Sequence, residues 1–152
     1  MITIKKIASD EILASIDADT LVGADLREMS LEQADLENID LSHAQLDFAD
    51  LNAANLKGAK LQHASLIGAH LNDADLSNAD LSHAEMGSDI QSKAAMLLNS
   101  KLTGANLSHA YLHWVDFREA DLSRANMSRS DVRHAVFYRA DMSHVTASDC
   151  LF

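Results

Sequence analysis

The sequence predicts an all-β solenoid, and three observations carry that prediction. The first is a five-residue phrase, Ala-(Asp/Asn)-Leu-X-X, as at Ala34-Asp35-Leu36, Ala54-Asn55-Leu56 and Ala74-Asp75-Leu76. The second is its persistence. A large apolar residue returns at every fifth position from Leu26 to Met86 and again from Leu102 to Met142, thirteen units followed by nine. A period of five fits neither the roughly 3.6-residue turn of a helix nor the alternation of a strand. The third is the absence of Pro, with only five Gly, which leaves no flexible linker and suggests one domain in 152 residues.

Each element follows from this pattern. Residues 1–20 lie outside the repeat. Ile2 and Ile4 alternate with polar neighbours, Ser9-Asp10-Glu11 is turn-like, and a β-friendly stretch follows to Ile16. The segment reads as a short β-hairpin capping the first coil; the competing reading is a helix from Asp10 to Ile16 with Asp10 as N-cap. Residues 22–86 form a first coil block. The phrase fails over 87–99, and Met86 to Leu102 is one residue more than three periods, so a bulge or small loop near 87–93 has to absorb a shift of one. A second block covers 100–144, and 145–152 reads as a degenerate tail capping the other end, with a homodimer through that end as the alternative way to cover its unpaired edges.

These 22 units resemble the pentapeptide-repeat family, over about 120 of the 152 residues. The resemblance implies a right-handed quadrilateral β-helix, four pentapeptides to each square coil. The large residue then fills the axis and the Ala two before it also points inward. Residues 20 apart stack, so Leu26, Leu46, Leu66 and Met86 share one interior column, and Phe117 and Phe137 share another. Met29, Ile39 and Val115 replace that Ala and should widen the coil locally. Asp25, Asp35, Asp50, Asp75, Asp121 and Asp141, just before the large residue, are suited to hydrogen-bonding local backbone at the corners.

Charge and chemistry narrow the function. The net charge is −11, which argues against direct binding to nucleic acid or to an anionic membrane. It is lopsided: residues 1–90 hold 17 acids and 5 bases, residues 91–152 hold 6 acids and 7 bases. The single cysteine, Cys150, and the lack of a long apolar start lead to a cytoplasmic expectation, and no run is long enough to span a bilayer. No strained serine elbow, phosphate loop or dinucleotide fingerprint is present, and a packed axis leaves no substrate cavity, so neither catalysis nor a cofactor is expected.

Two sets of side chains remain. His43, His63 and His83 recur every 20 residues and form a ladder on one face. Stacked rings hold their nitrogens parallel rather than convergent, so the ladder alone does not specify a metal site. Tyr111, Trp114, Arg118, Arg133, His134, Tyr138 and Arg139 stand out among small polar outward residues. Aromatics with arginine on a rigid surface have the composition of binding hot spots. The sequence therefore reads as a non-catalytic scaffold for an unidentified protein partner. The family resemblance adds a second reading, an acidic DNA mimic that binds a type II topoisomerase.

Overall fold

A computed structural model describes residues 1–152. The chain winds into a right-handed quadrilateral β-helix. Parallel bridges join residues 20 apart, such as Asp25 to Gln45, Asp40 to Lys60 and Asp80 back to Lys60. Four pentapeptides therefore complete one coil. Each corner is a tight turn in which the N–H of the inward Ala donates to the carbonyl of the preceding large residue, as from Ala54 to Leu51 at 3.0 Å. The residue before that Ala takes a left-handed φ near +60°, the type II pattern. Asx turns brace the corners: Asp50 accepts from the Asn52 N–H, Asp75 from Ser77 and Asp121 from Ser123. Asp35 departs from this use and accepts from the Asn55 side chain on the next coil.

The axis is dry. Leu26 to Leu122 line it at essentially zero exposure, with the small Ala residues filling the space beside them. Phe117 and Phe137 stack at 5.3 Å with an interplanar angle of 2°. At Met29, Ile39 and Val115 the ladder between coils is unbroken. The bridging bonds there are intact, at 2.9, 2.9 and 3.0 Å from Asp50, Lys60 and Val136. Met29 and Ile39 belong to the first coil, where no further coil restricts them, and they stay partly exposed.

At the N-terminal end, β1 (Ile2–Lys6) and β2 (Ile12–Ile16) pair as an antiparallel hairpin, with no helix over 10–16. β1 also pairs with β3 (Ala34–Asp35) through Lys5–Asp35 and Lys6–Ala34. That satisfies part of the open edge of the first coil, while Ile4 and Ala14 enter the core.

The break and the tail both differ from the sequence reading. Bridges that cross the break join residues 26 apart, as His70 to Met96 and Glu85 to Tyr111, so the insertion is six residues rather than one. One whole period plus one residue has the same phase as one residue alone. The inserted stretch includes a short 3-10 turn at Gln91–Lys93. The coil resumes at Ala95, whose N–H donates to the Met86 carbonyl at 2.8 Å, not at residue 100. Residues 145–152 do not lie across the end either. Thr146 bridges to Asn126 and Leu151 to Asp131, so the coil runs on.

Within the insertion the Asp89, Gln91 and Ser92 N–H groups have no acceptor in the chain. These amides should exchange with solvent at least a hundredfold faster than those of Leu71 or Leu122, which are tied at 2.8 and 2.9 Å inside the stack. Equal protection in a hydrogen–deuterium exchange experiment would contradict the looped-out insertion.

Candidate functional site

Outward side chains come from the residue before each large apolar residue and from the two after it. On the second block this geometry gathers the sequence-predicted residues onto two adjoining faces. Tyr111, Trp114, Arg133 and His134 lie on one face and its corner; Arg118, Val136, Tyr138 and Arg139 lie on the next. Trp114 and His134 are successive rungs of that corner, with φ of 64° and 60°. Their rings stack at 4.4 Å and 12°. His113, which carries no repeat spacing of its own in the sequence, completes the cluster. Its ring lies 6.0 Å from Trp114, 5.2 Å from His134 and 5.9 Å edge-on from Tyr111. Tyr138 stands apart, 61% exposed, with the Arg139 guanidinium 5.1 Å from its ring centre.

The insertion is fastened to this cluster. The Tyr111 hydroxyl donates to Asp89 at 2.8 Å and lies 3.0 Å from His113 Nδ1. Burial, reinforced by the Asp89 carboxylate, holds the Tyr111 phenol above its ordinary value. His113 Nε2 is buried with no partner. Between the insertion and Trp114 runs a groove of about 330 Å³ lined by Ala94, Met96, Val136 and the Asp116–Arg118 pair.

The arginines are less available than their number suggests. Arg118 grips Asp116 and Arg133 grips Asp131, each two residues away and each at 2.6 Å. Arg139 lies 3.9 Å from Glu119. The fork from Arg133 sets the Asp131 carboxyl below its ordinary value, against the opposing pull of burial. For Asp116 burial is the larger single influence and pushes upward, but the Arg118 bonds together outweigh it. A lowered carboxylate stabilises the fold above the ordinary range near 3.8 and loses that contribution as pH falls through the lowered value. Arg133→Gln should therefore move the Asp131 titration upward in a carbon-13 NMR experiment; an unmoved titration would mean that the fork does not set it.

On another corner, His43, His63 and His83 form the ladder expected from their spacing, with ring separations of 5.0 and 4.8 Å. His109 adds a fourth rung, 4.6 Å from His83. It is 26 residues on, so the insertion hid it. No three metal-binding side chains converge on one point.

The architecture is a stack of repeated coils with a filled axis, a class of protein that works through its surface. The chain belongs to the pentapeptide-repeat family: the model for pentapeptide repeats matches residues 21–58, 54–87, 94–119 and 116–152. Among solved structures it is similar to HetL, a pentapeptide repeat protein involved in heterocyst differentiation regulation from the cyanobacterium Nostoc. The identity is 31%, with 81% of this chain and 61% of HetL covered and a TM-score of 0.53. It is also similar to a pentapeptide repeat protein of the Arabidopsis thaliana thylakoid lumen, at 28% identity over 70% of this chain and 66% of that one, TM-score 0.54. The chain thus spans just under two thirds of the length of each. Rfr23 from the cyanobacterium Cyanothece shares the fold, at 20% identity over 86% of this chain and 89% of that one, TM-score 0.55. No curated protein matches the chain by sequence.

Proposed function

We propose that this protein is a rigid, non-catalytic scaffold that binds a protein partner through the aromatic faces of its second block. The observation that carries this reading is the Trp114–His134–His113 stack beside exposed Tyr138. The Trp114 N–H is bonded to the Arg133 carbonyl at 3.2 Å and Tyr111 is bridged to Asp131, so Trp114 is presented on a fixed backbone with little conformational freedom left to lose. Arg118 and Arg133 then act as shaped, locally neutral rims rather than free cations. Partners captured by the wild-type chain from its source cells should be lost with Trp114→Ala combined with Tyr138→Ala. A hot-spot pair of this kind typically contributes about 2 kcal/mol or more per residue. Undiminished capture by the double variant would place the binding surface elsewhere.

The charge of residues 1–90, 17 acids against 5 bases, favours a second reading: that the acidic half stands in for DNA on a type II topoisomerase. The acids do not form two phosphate-like rows. They spread over all four faces, and Lys60 lies 3.5 Å from Asp40 on the next coil. Added protein would have to alter gyrase supercoiling in a way that weakens as salt rises; no effect at any salt concentration ends this reading.

The end of the second block supports self-association. Met127, Val132, Phe137, Met142 and Phe152 surround an apolar hollow of about 250 Å³ there, and the Phe137, Met142 and Ala147 N–H groups have no partner. A second copy would cover both. Sedimentation of the 152-residue chain should show a dimer that Met142→Asp dissociates, and a monomer at high concentration rules it out.

A further inference from the structure

We propose that the corner bearing His43, His63, His83 and His109 binds divalent transition-metal ions that prefer imidazole, each ion held between two neighbouring rungs. Three observations lead there. The first is placement. Every corner of the solenoid requires a left-handed residue, with φ from 54° to 69° along this stretch. Histidine tolerates that conformation, as do Asn, Asp and Gly. Between His43 and His109 the other three corners use Ala, Gly, Asp, Asn and Phe, and no histidine. Backbone demand is common to all corners, so it does not account for four histidines on one.

The second observation is that the rings are free. All four are exposed, and none makes a hydrogen bond or ion pair within the chain. Their neighbours are occupied instead with one another. Ser42 donates to Asp40 at 2.7 Å, Gln62 to Asp80 at 2.8 Å, and Lys60 lies 3.5 Å from Asp40. Imidazole nitrogens with no other employment are available as ligands. The third is charge. Residues 1–90, which include three of the four rungs, hold 17 acids and 5 bases, so they draw cations towards this corner.

The resting geometry sets the form of the site. Adjacent ring centres are 4.6 to 5.0 Å apart and almost parallel. An ion at a bond length of about 2.0 Å from each nitrogen spans about 4 Å, and it needs the lone pairs to face it. One ring of each pair must therefore swing about its Cα–Cβ and Cβ–Cγ bonds, which an exposed side chain does readily. The result is a two-imidazole chelate completed by water, and borderline ions such as nickel or copper suit such ligands. Four rungs supply two chelates. The column ends at Arg129, the next corner residue after His109, which closes the site on that side.

The test is calorimetric titration of the chain, without any affinity tag, with nickel chloride. Two ions should bind per chain. His83→Asn leaves one neighbouring pair, His43 with His63, and should bind one. His63→Asn combined with His83→Asn leaves no neighbouring pair and should weaken binding at least tenfold. Asn already serves the same left-handed corner role at Asn38, Asn78 and Asn99, so these variants keep the fold, as circular dichroism would register. His144→Asn, at a corner outside the column, and His70→Asn, at an exposed non-corner position, should bind as wild type does. The proposal is overturned if the wild type binds no nickel. It is equally overturned if the double variant binds as well as wild type, or if the control variants lose binding to the same extent.

Discussion

Leu56→Asp should abolish cooperative folding. Leu56 has no exposed surface, and its N–H is held by the Asp75 carbonyl at 2.7 Å, so its side chain has no route to solvent. A carboxylate there would lie in a fully buried apolar column, between Leu36 and Leu76. Burying a charge without a partner costs several kcal/mol even after the group takes up a proton, and the lost leucine contacts add about 2–5 kcal/mol. Domains of this size are stable by only about 5–15 kcal/mol, so the two together reach the total. Location magnifies the effect, because each coil is stabilised chiefly by the coils on either side. The defect lies mid-stack and separates the N-terminal cap from the second block. Leu151→Asp is the matched control. Leu151 is 57% exposed and occupies an outward position, so its replacement should stay within about 0.5 kcal/mol of wild type. Thermal melts followed by circular dichroism distinguish the two, and a Leu56→Asp protein that melts like wild type would refute the interior assignment.

The interior was legible in the sequence because its physics is local and repeated. One pentapeptide position reaches the axis, a small residue usually sits beside it, and both recur often enough to be unmistakable. What escaped was whatever depends on counting coils. A six-residue insertion and a single extra residue shift the phase identically, so the sequence does not distinguish a bulge near 87–93 from a full extra period. The same insertion puts His109 26 residues after His83, off the 20-residue spacing that marks the column. The tail was misread for a related reason. Ala147 stands where a large residue is usual, and Val145 and Cys150 stand where Ala is usual, yet the five-residue phase continues through Phe152 and the backbone bridges follow the phase. The candidate surface was legible as composition but not as electrostatics. Arg118 and Arg133 look like free cations until their positions are combined with Asp116 and Asp131. In this coil the residue just before the large one and the residue just after it both point outward, which lets the fork close.

Gly87→Ala should be the most damaging of the glycine replacements, and it tests how the insertion is joined to the candidate surface. A Cβ on Gly87 would lie 2.4 Å from the His113 nitrogen and 2.8 Å from its carbonyl oxygen. Both are backbone atoms, so no flexible side chain can move aside. The same stretch carries the bonds that seat the insertion: Gly87 N–H to the Tyr111 carbonyl at 2.8 Å and Ser88 N–H to the His113 carbonyl at 3.1 Å. Relief requires the two coils to separate there, which strains those bonds and shifts His113 away from Tyr111 and Trp114. Overpacking of this kind costs about 1–3 kcal/mol, and the rigid neighbour places Gly87→Ala at the upper end. Each kcal/mol lowers the melting temperature of a chain of this length by about 2–4 °C, so a fall of about 6–12 °C is expected. At Gly23, φ is +67° but nothing lies within 4 Å of an added Cβ, so Gly23→Ala carries only the left-handed backbone penalty of about 1–2 kcal/mol. The two variants differ in a second respect. Gly87→Ala should also weaken partner capture through the Trp114 face at temperatures where the protein is still folded, whereas Gly23→Ala, at the far end of the rod, should leave capture unchanged. Equal melting temperatures for the two variants would show that the coils are not in close contact at Gly87. Unchanged capture by a destabilised Gly87→Ala would uncouple the insertion from the surface beside it.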